Sequence, residues 1–265
     1  MIGFFDSGFG GLSTLKEFIK LMPEYDYIYF GDSKNAPYGN KEPEEIRNLT
    51  EKGVKFLFDK GATVVILACN TAIVHSIKYL QQEVFKNKKI LGVTIAGAEK
   101  VIESGYKKIG VLATYNTVKY MAYRRRVYIL DETVKIQEIE APLLVPMIEV
   151  GNYNSTEFKN ILKNYLEKFE KNIEALIIGC THYSLVVNQI KEILPKNIDL
   201  IDPSYESAIK FQDYLERHPE IKKTLPKGGK RVFYTSGNKE KFKEIGSEFL
   251  GEKIFIFSSD FSRPD

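Results

Sequence analysis

Val64-Val65-Ile66-Leu67-Ala68-Cys69-Asn70-Thr71 and Ala175-Leu176-Ile177-Ile178-Gly179-Cys180-Thr181-His182 are two copies of one pattern. Each starts with a short apolar run, passes through a small residue, reaches a cysteine and ends in small polar residues. They contain the only two cysteines in a chain of 265 residues. A brief run of Val, Ile and Leu bounded by small residues reads as a strand buried on both faces. Each cysteine then stands at the carboxyl end of such a strand, where ligands gather in parallel α/β sheets.

Working outward, strand and helix patterns alternate. The first strand series is Ile2–Phe5, Tyr27–Phe30, Val64–Ala68 and Ile90–Val93. The second is Lys108–Ala113, Lys135–Glu140, Ala175–Gly179 and Asp199–Ile201. Helical periodicity fills the gaps over Glu44–Lys60, Ile73–Phe85 and Ser155–Phe169, the last with Asn154 or Ser155 as its cap. This alternation predicts parallel sheets built from βαβ units. The series also match in spacing. Gly3 to Cys69 is 66 positions and Gly110 to Cys180 is 70; Cys69 to Gly92 is 23 and Cys180 to Asp202 is 22. The expected fold is α/β with two similar lobes, each a parallel sheet flanked by helices, pseudo-twofold related and enclosing a cleft. Residues 1–93 with 207–265 are read as the first lobe and 94–206 as the second. The tail supplies a helix over Glu206–Arg217, a strand over Arg231–Thr235, a helix over Lys239–Leu250 and a short apolar Ile254–Phe257, and is expected to return to the first lobe.

Composition narrows the function. The chain is 43% hydrophobic and 28% charged, ordinary for a globular protein. Its formal charge of +3 is too small to argue for nucleic acid, and the one basic cluster, Arg124-Arg125-Arg126, reads as a solvated helix face. No apolar run approaches the ~20 residues of a membrane helix, and the start, Met1-Ile2-Gly3-Phe4-Phe5-Asp6, does not read as a signal peptide. The expected compartment is the cytosol, where thiols stay reduced. The cysteines lie 111 positions apart, so they form no CxxC motif, and neither their spacing nor the repeat calls for a metal.

Further motifs fall at strand ends. Asp6-Ser7-Gly8-Phe9-Gly10-Gly11 follows the first strand and opens a helix, whose N-terminus is expected to hold a carboxylate. It lacks the GxGxxG spacing of a dinucleotide site. Gly31-Asp32 and Ala36-Pro37-Tyr38-Gly39 follow the second strand as a candidate wall for a small ligand. Each cysteine precedes polar residues where a helix N-terminus is expected to lower its pKa. His182 lies two residues from Cys180, while His75 and His218 read as structural or exposed. Two thiols in a cleft between matched lobes suit proton exchange at a stereocentre: one takes a proton from one face, the other returns one to the opposite face. A carbanion beside a carboxylate needs hydrogen-bond donors, and Ser7, Asn70, Thr71 and Thr181 are of that type.

Taken together, Asp6-Ser7-Gly8-x-Gly10-Gly11, Gly31-Asp32 with Pro37-Tyr38-Gly39, Ala68-Cys69-Asn70-Thr71-Ala72 and Gly179-Cys180-Thr181-His182-Tyr183 resemble the glutamate racemases of the cofactor-independent aspartate/glutamate racemase family. The motifs occur in the family's order across nearly the whole chain. The resemblance implies interconversion of L- and D-glutamate without a cofactor or metal, supplying peptidoglycan synthesis. It implies Cys69 and Cys180 as the acid/base pair, Cys69 acting on D-glutamate and Cys180 on L-glutamate. Asp6 would assist Cys69; His182 with Glu149, in Pro146-Met147-Ile148-Glu149-x-Gly151, would assist Cys180. Substrate contacts would come from Asp6, Ser7, Tyr38, Gly39, Asn70, Thr71, Thr181 and His182, with Thr114 and Thr117 closing the second lobe's side. The implied partner is small-molecule glutamate, with no membrane or nucleic acid, and a homodimer is one assembly the resemblance allows.

Four positions depart from the family's habit: Ala113 for glycine, Ile73 for serine, Ser184 for proline and Ala141 for cysteine. None removes a proposed catalytic group. Aspartate racemase is the nearest rival, but its second cysteine motif usually carries an acid where His182 stands. A two-lobed amino-acid-binding protein would not need the thiols. A redox sensor would need Cys69 and Cys180 close enough to join.

Overall fold

The protein, described by a computed structural model over residues 1–258, is built on two parallel sheets. In the first, β1 (Ile2–Asp6) lies between β2 (Tyr27–Gly31) and β3 (Val64–Leu67), with β4 (Lys89–Gly92) outside β3. In the second, β5 (Lys108–Ala113) lies between β6 (Lys135–Glu140) and β7 (Ala175–Gly179), with β8 (Asp199–Ile201) outside β7. The two units thus share one strand order. Two late strands, β9 (Arg231–Thr235) and β10 (Ile256–Ser258), extend the first sheet beyond β2. Residues 259–265 of the tail lie outside the described residues.

Helices connect the strands: α1 (Leu12–Leu21), α2 (Pro43–Asp59), α3 (Asn70–Tyr79) and α4 (Val93–Glu103) in the first half. The second half has α5 (Tyr115–Lys119), α6 (Ala122–Leu130), α7 (Leu144–Glu149), α8 (Thr156–Leu166) and α9 (Val187–Ile193). The tail adds α10 (Pro203–Arg217), α11 (Pro219–Lys222) and α12 (Lys239–Leu250). Their starts follow local chemistry. Pro43 opens α2 with Glu44 and Glu45 in its first turn. The Ser155 hydroxyl accepts the Phe158 N–H at 3.0 Å to cap α8.

Some boundaries differ from the sequence reading. Val93 begins α4 rather than ending a strand, because the β3–β4 ladder stops at Leu67 opposite Gly92. The helix placed at Ile73–Phe85 starts at Asn70, since Cys69 is its N-cap, and gives way to a π turn over Leu80–Val84. The helix placed at Ser155–Phe169 ends at Leu166. Arg124 is not simply solvated: it pairs with Glu138 at 2.8 Å and donates to the Ile136 carbonyl.

β1 and β2 are buried along their whole length, as a sheet covered on both faces requires. Aromatic rings fill the first core, with Phe4 edge-on to Phe18 at 4.9 Å between centroids. In α2, Gly53 gives the Phe5 ring its place; a methyl group there would overlap that ring. Gly53→Ala is expected to cost about 1–3 kcal/mol through overpacking, against a helix-propensity gain of about 1 kcal/mol. Urea unfolding tests this; an unchanged midpoint would mean the ring has room to move.

The two lobes exchange helices. α4 leaves the first sheet, yet its Ala98 and Val101 join the core around β5 and β7. α10 leaves the second sheet, and its Ala208, Phe211 and Leu215 pack into the first core. This reciprocal packing brings the carboxyl ends of both sheets to one cavity.

Candidate active site

That cavity encloses about 570 Å³ up to its open mouth. Ser7, Pro37, Tyr38, Gly39, Asn40, Cys69, Asn70 and Thr71 line it from the first sheet's side. Thr114, Tyr115, Ala141, Pro142, Val145, Pro146, Gly179, Cys180, Thr181 and His182 line it from the second. Both cysteines are free, buried and part of this one wall.

Cys69 follows β3 and caps α3, its sulfur accepting the Ala72 N–H at 3.5 Å. Its thiol donates to the Ser7 hydroxyl at 3.3 Å. The expected lowering of its pKa does not occur. Burial, with the Asp6 carboxylate nearby, pushes the Cys69 thiol up to about 12, outweighing the Ser7 and Ala72 hydrogen bonds. Asp6 itself lies beneath the cavity surface. Its carboxylate accepts the Gly8 N–H at 2.9 Å and the Thr181 hydroxyl at 3.2 Å. The loop that was expected to hold a ligand carboxylate therefore spends its Gly8 amide on Asp6. Burial raises the Asp6 pKa, although the His182 charge and the Gly8, Gly11 and Thr181 hydrogen bonds pull the other way.

Cys180 follows β7 and leads into a 3₁₀ segment, Thr181–Val186, so no α-helix N-terminus stands behind it. Its sulfur is 3.8 Å from His182 Nδ1. On the far side of the ring, Nε2 meets Glu149 Oε1 at 3.3 Å, a contact whose angle does not make a hydrogen bond. Burial alone would lower the His182 pKa, but Cys180 and Glu149 together raise it to about 10. Glu149 stands behind His182 rather than on the cavity wall.

Polar side chains join the lobes around the cleft. Beyond the Thr181–Asp6 bond, Thr71 and Thr114 hydroxyls meet at 2.9 Å, and Thr114 meets Thr117 at 3.0 Å. Thr117 is thus one hydrogen bond behind the wall. The Asn116 amide donates to the Lys41 carbonyl at 3.0 Å, holding the Tyr38–Gly39 loop from the opposite lobe. Tyr38 donates to the buried Asp32 carboxylate at 2.6 Å.

The raised His182 pKa makes a stability prediction. The folded protein keeps this proton to about pH 10, whereas a free imidazole loses it near 6.5. The stabilisation is complete below pH 6.5 and is lost as pH rises through 10. The Cys69 shift acts in the same direction above pH 9.0. His182→Gln is expected to flatten the fall of the thermal midpoint between pH 6.5 and 9; an equal slope in both proteins would contradict the assigned charge.

Several wall residues escaped sequence reading. Asn40, Tyr115, Pro142 and Val145 belong to no polar motif, although Pro142 and Pro146 bracket a short apolar stretch after β6. His75 is half-buried edge-on to Tyr120, and His218 is an exposed partner of Glu220.

Two parallel sheets that each bring one thiol to a shared cleft, with Asp6 near one and His182 with Glu149 near the other, define a two-lobed α/β protein with a cysteine pair in its central cavity. The Asp/Glu/Hydantoin racemase family model matches residues 13–206. The chain belongs to that family. It is 37% identical over 261 residues to a glutamate racemase of Thermoanaerobacter sp. (strain X514), covering 96% of this chain and 94% of the relative. The crystal structure of glutamate racemase isoform RacE1 from Bacillus anthracis superposes with a TM-score of 0.90 at 29% identity, over 98% of this chain and 97% of that one. Glutamate racemase from Francisella tularensis, solved in complex with D-glutamate, gives 0.87 at 32% identity, over 97% and 95%. No helix among the described residues is long and apolar enough to cross a membrane.

Proposed function

We propose that this protein is a glutamate racemase that moves the α-hydrogen between the two faces of glutamate through Cys69 and Cys180. The observation that carries this is the pair of cysteines, each at an equivalent strand end, lining one cavity. The D-glutamate held by the Francisella relative supports the substrate. From L-glutamate, the Cys180 sulfur takes the α-proton, so the C–H bond breaks and an S–H bond forms. The carbanion is then protonated from the other face by the Cys69 thiol, leaving a thiolate there. Burial keeps Cys69 protonated at rest, which suits it to deliver that hydrogen. The thiol and thiolate have exchanged places, and the pair resets by proton exchange at the two sulfurs, assisted by Ser7 beside Cys69 and His182 beside Cys180, with the Asp6 and Glu149 carboxylates behind them. D-glutamate runs the same steps in reverse.

Donors around the cleft stabilise charge on the substrate carboxylates: the Ser7 hydroxyl, which only accepts from Cys69, the Asn70 amide, and one proton of the Thr71–Thr114 pair, while the Thr181 proton is given to Asp6. The product D-glutamate would feed peptidoglycan synthesis in the cytosol, a compartment in which two free thiols persist. The test is polarimetry of L-glutamate with purified protein and no added pyridoxal phosphate or metal. Rotation is expected to decay to zero, since the enantiomers are equal in energy. Undiminished rotation, or faster decay with aspartate, overturns the substrate assignment.

A further inference from the structure

Tyr123 carries no motif, is fully buried, and belongs to α6 of the second lobe, yet its hydroxyl donates across the cleft to Asn70 Oδ1 at 2.7 Å. Asn70 is the residue after Cys69 and lines the cavity. The ring is seated between two glycines: a methyl group on Gly179 would lie 3.1 Å from Tyr123 Cε2, and one on Gly97 would lie 3.2 Å from Cε1. The phenol is therefore held by close packing on both sides and cannot follow Asn70 if the amide turns. A tyrosine hydroxyl has one proton to give, and here it is given to the amide oxygen. Among the described residues, Asn70 Nδ2 makes no hydrogen bond, which leaves both its N–H groups to the cavity.

We propose that Tyr123 is a positioning residue: it locks the Asn70 carboxamide with its oxygen turned away and its N–H groups turned into the cleft as a donor to a substrate carboxylate. This rests on the racemase reading above. Without the phenol proton, the amide is free to flip, and its oxygen would then face the carboxylate it should bind. Because Tyr123 comes from one lobe and Asn70 from the other, the donor beside Cys69 is set only when the lobes are docked.

The test compares Tyr123→Phe, Asn70→Ala and the double variant in glutamate racemisation, with thermal midpoints measured in parallel. Tyr123→Phe is expected to raise KM about tenfold, the loss of one hydrogen bond to a charged group, with kcat within about twofold. In the Asn70→Ala background the same change is expected to leave KM unaltered. Wild-type KM in Tyr123→Phe, or an equal rise in KM with and without Asn70, overturns the proposal. So does a lowered thermal midpoint with KM unchanged, which would make Tyr123 a packing residue only. Should Tyr123→Phe not fold, Gly97→Ala decides: its methyl group would press the Tyr123 ring at 3.2 Å, so KM must rise with Asn70 present and stay unaltered in the Asn70→Ala background. Absence of glutamate turnover in the unaltered protein would instead refute the racemase reading itself, a result separate from any of these.

Discussion

Cys180→Ser is expected to abolish racemisation in both directions, by about 10³-fold or more, and Cys69→Ser to do the same. Serine keeps the size and the hydrogen-bonding oxygen, but its hydroxyl is far too weak an acid to serve as the base. The losses should be equal in the two directions, because the equilibrium constant between enantiomers is unity and ties the two kcat/KM values together. The half-reactions separate the roles. In D₂O, Cys180→Ser is expected to retain slow exchange of the α-hydrogen of D-glutamate through Cys69, without inversion. Cys69→Ser is expected to retain exchange with L-glutamate through Cys180. The surroundings of each sulfur support this division, with Ser7 3.3 Å from Cys69 and His182 3.8 Å from Cys180. Full activity in either serine variant would refute the two-thiol mechanism.

Gly10→Ala is expected to lower kcat/KM about 10²-fold although residue 10 carries no side chain. An added methyl group would stand 2.6 Å from both His182 Nδ1 and Thr181 Oγ1. Neither atom is the end of a flexible chain. The His182 ring is boxed between Cys180, Glu149 and the edge of Phe9, whose centroid is 5.7 Å away. Thr181 is tied to Asp6 across the cleft. The methyl group must displace the imidazole from its sulfur or break the Thr181–Asp6 bond, and displacements near 1 Å at a reacting group cost about that factor. Steady-state kinetics with a thermal melt would check it. Activity near that of the unaltered protein would mean that His182 has slack, and would weaken its place in the proton path.

The strand ends were legible because a buried parallel strand has a plain signature: Ala175–Gly179 and Lys108–Ala113 were read to the residue. The matching strand order of the two sheets follows from the matched spacing of the two series. Pattern along the chain does not reveal what depends on burial and on neighbours brought together by the fold. The polar residues after Cys69 suggest a helix N-terminus, and α3 begins at Asn70, three residues before the helical periodicity at Ile73. The direction of the thiol's shift was not foreseeable, because burial and the Asp6 charge outweigh one N–H at 3.5 Å. Likewise the Gly8 amide is taken by the Asp6 side chain at the end of β1, two residues before it. Tyr123 sits in a stretch otherwise read as a solvated basic face, and only its distance to Asn70 gives it meaning.

Local pattern alone determined the two α/β units, their cysteines and the small polar residues beside them, since strands and turns answer to neighbours in the chain. The folded molecule decided that burial holds the Cys69 thiol up, which carboxylate stands near which sulfur, and how the lobes lock together. Those depend on the loss of water and on contacts between residues as far apart as Asp6 and Thr181, and electrostatic energy is set by such distances rather than by order along the chain.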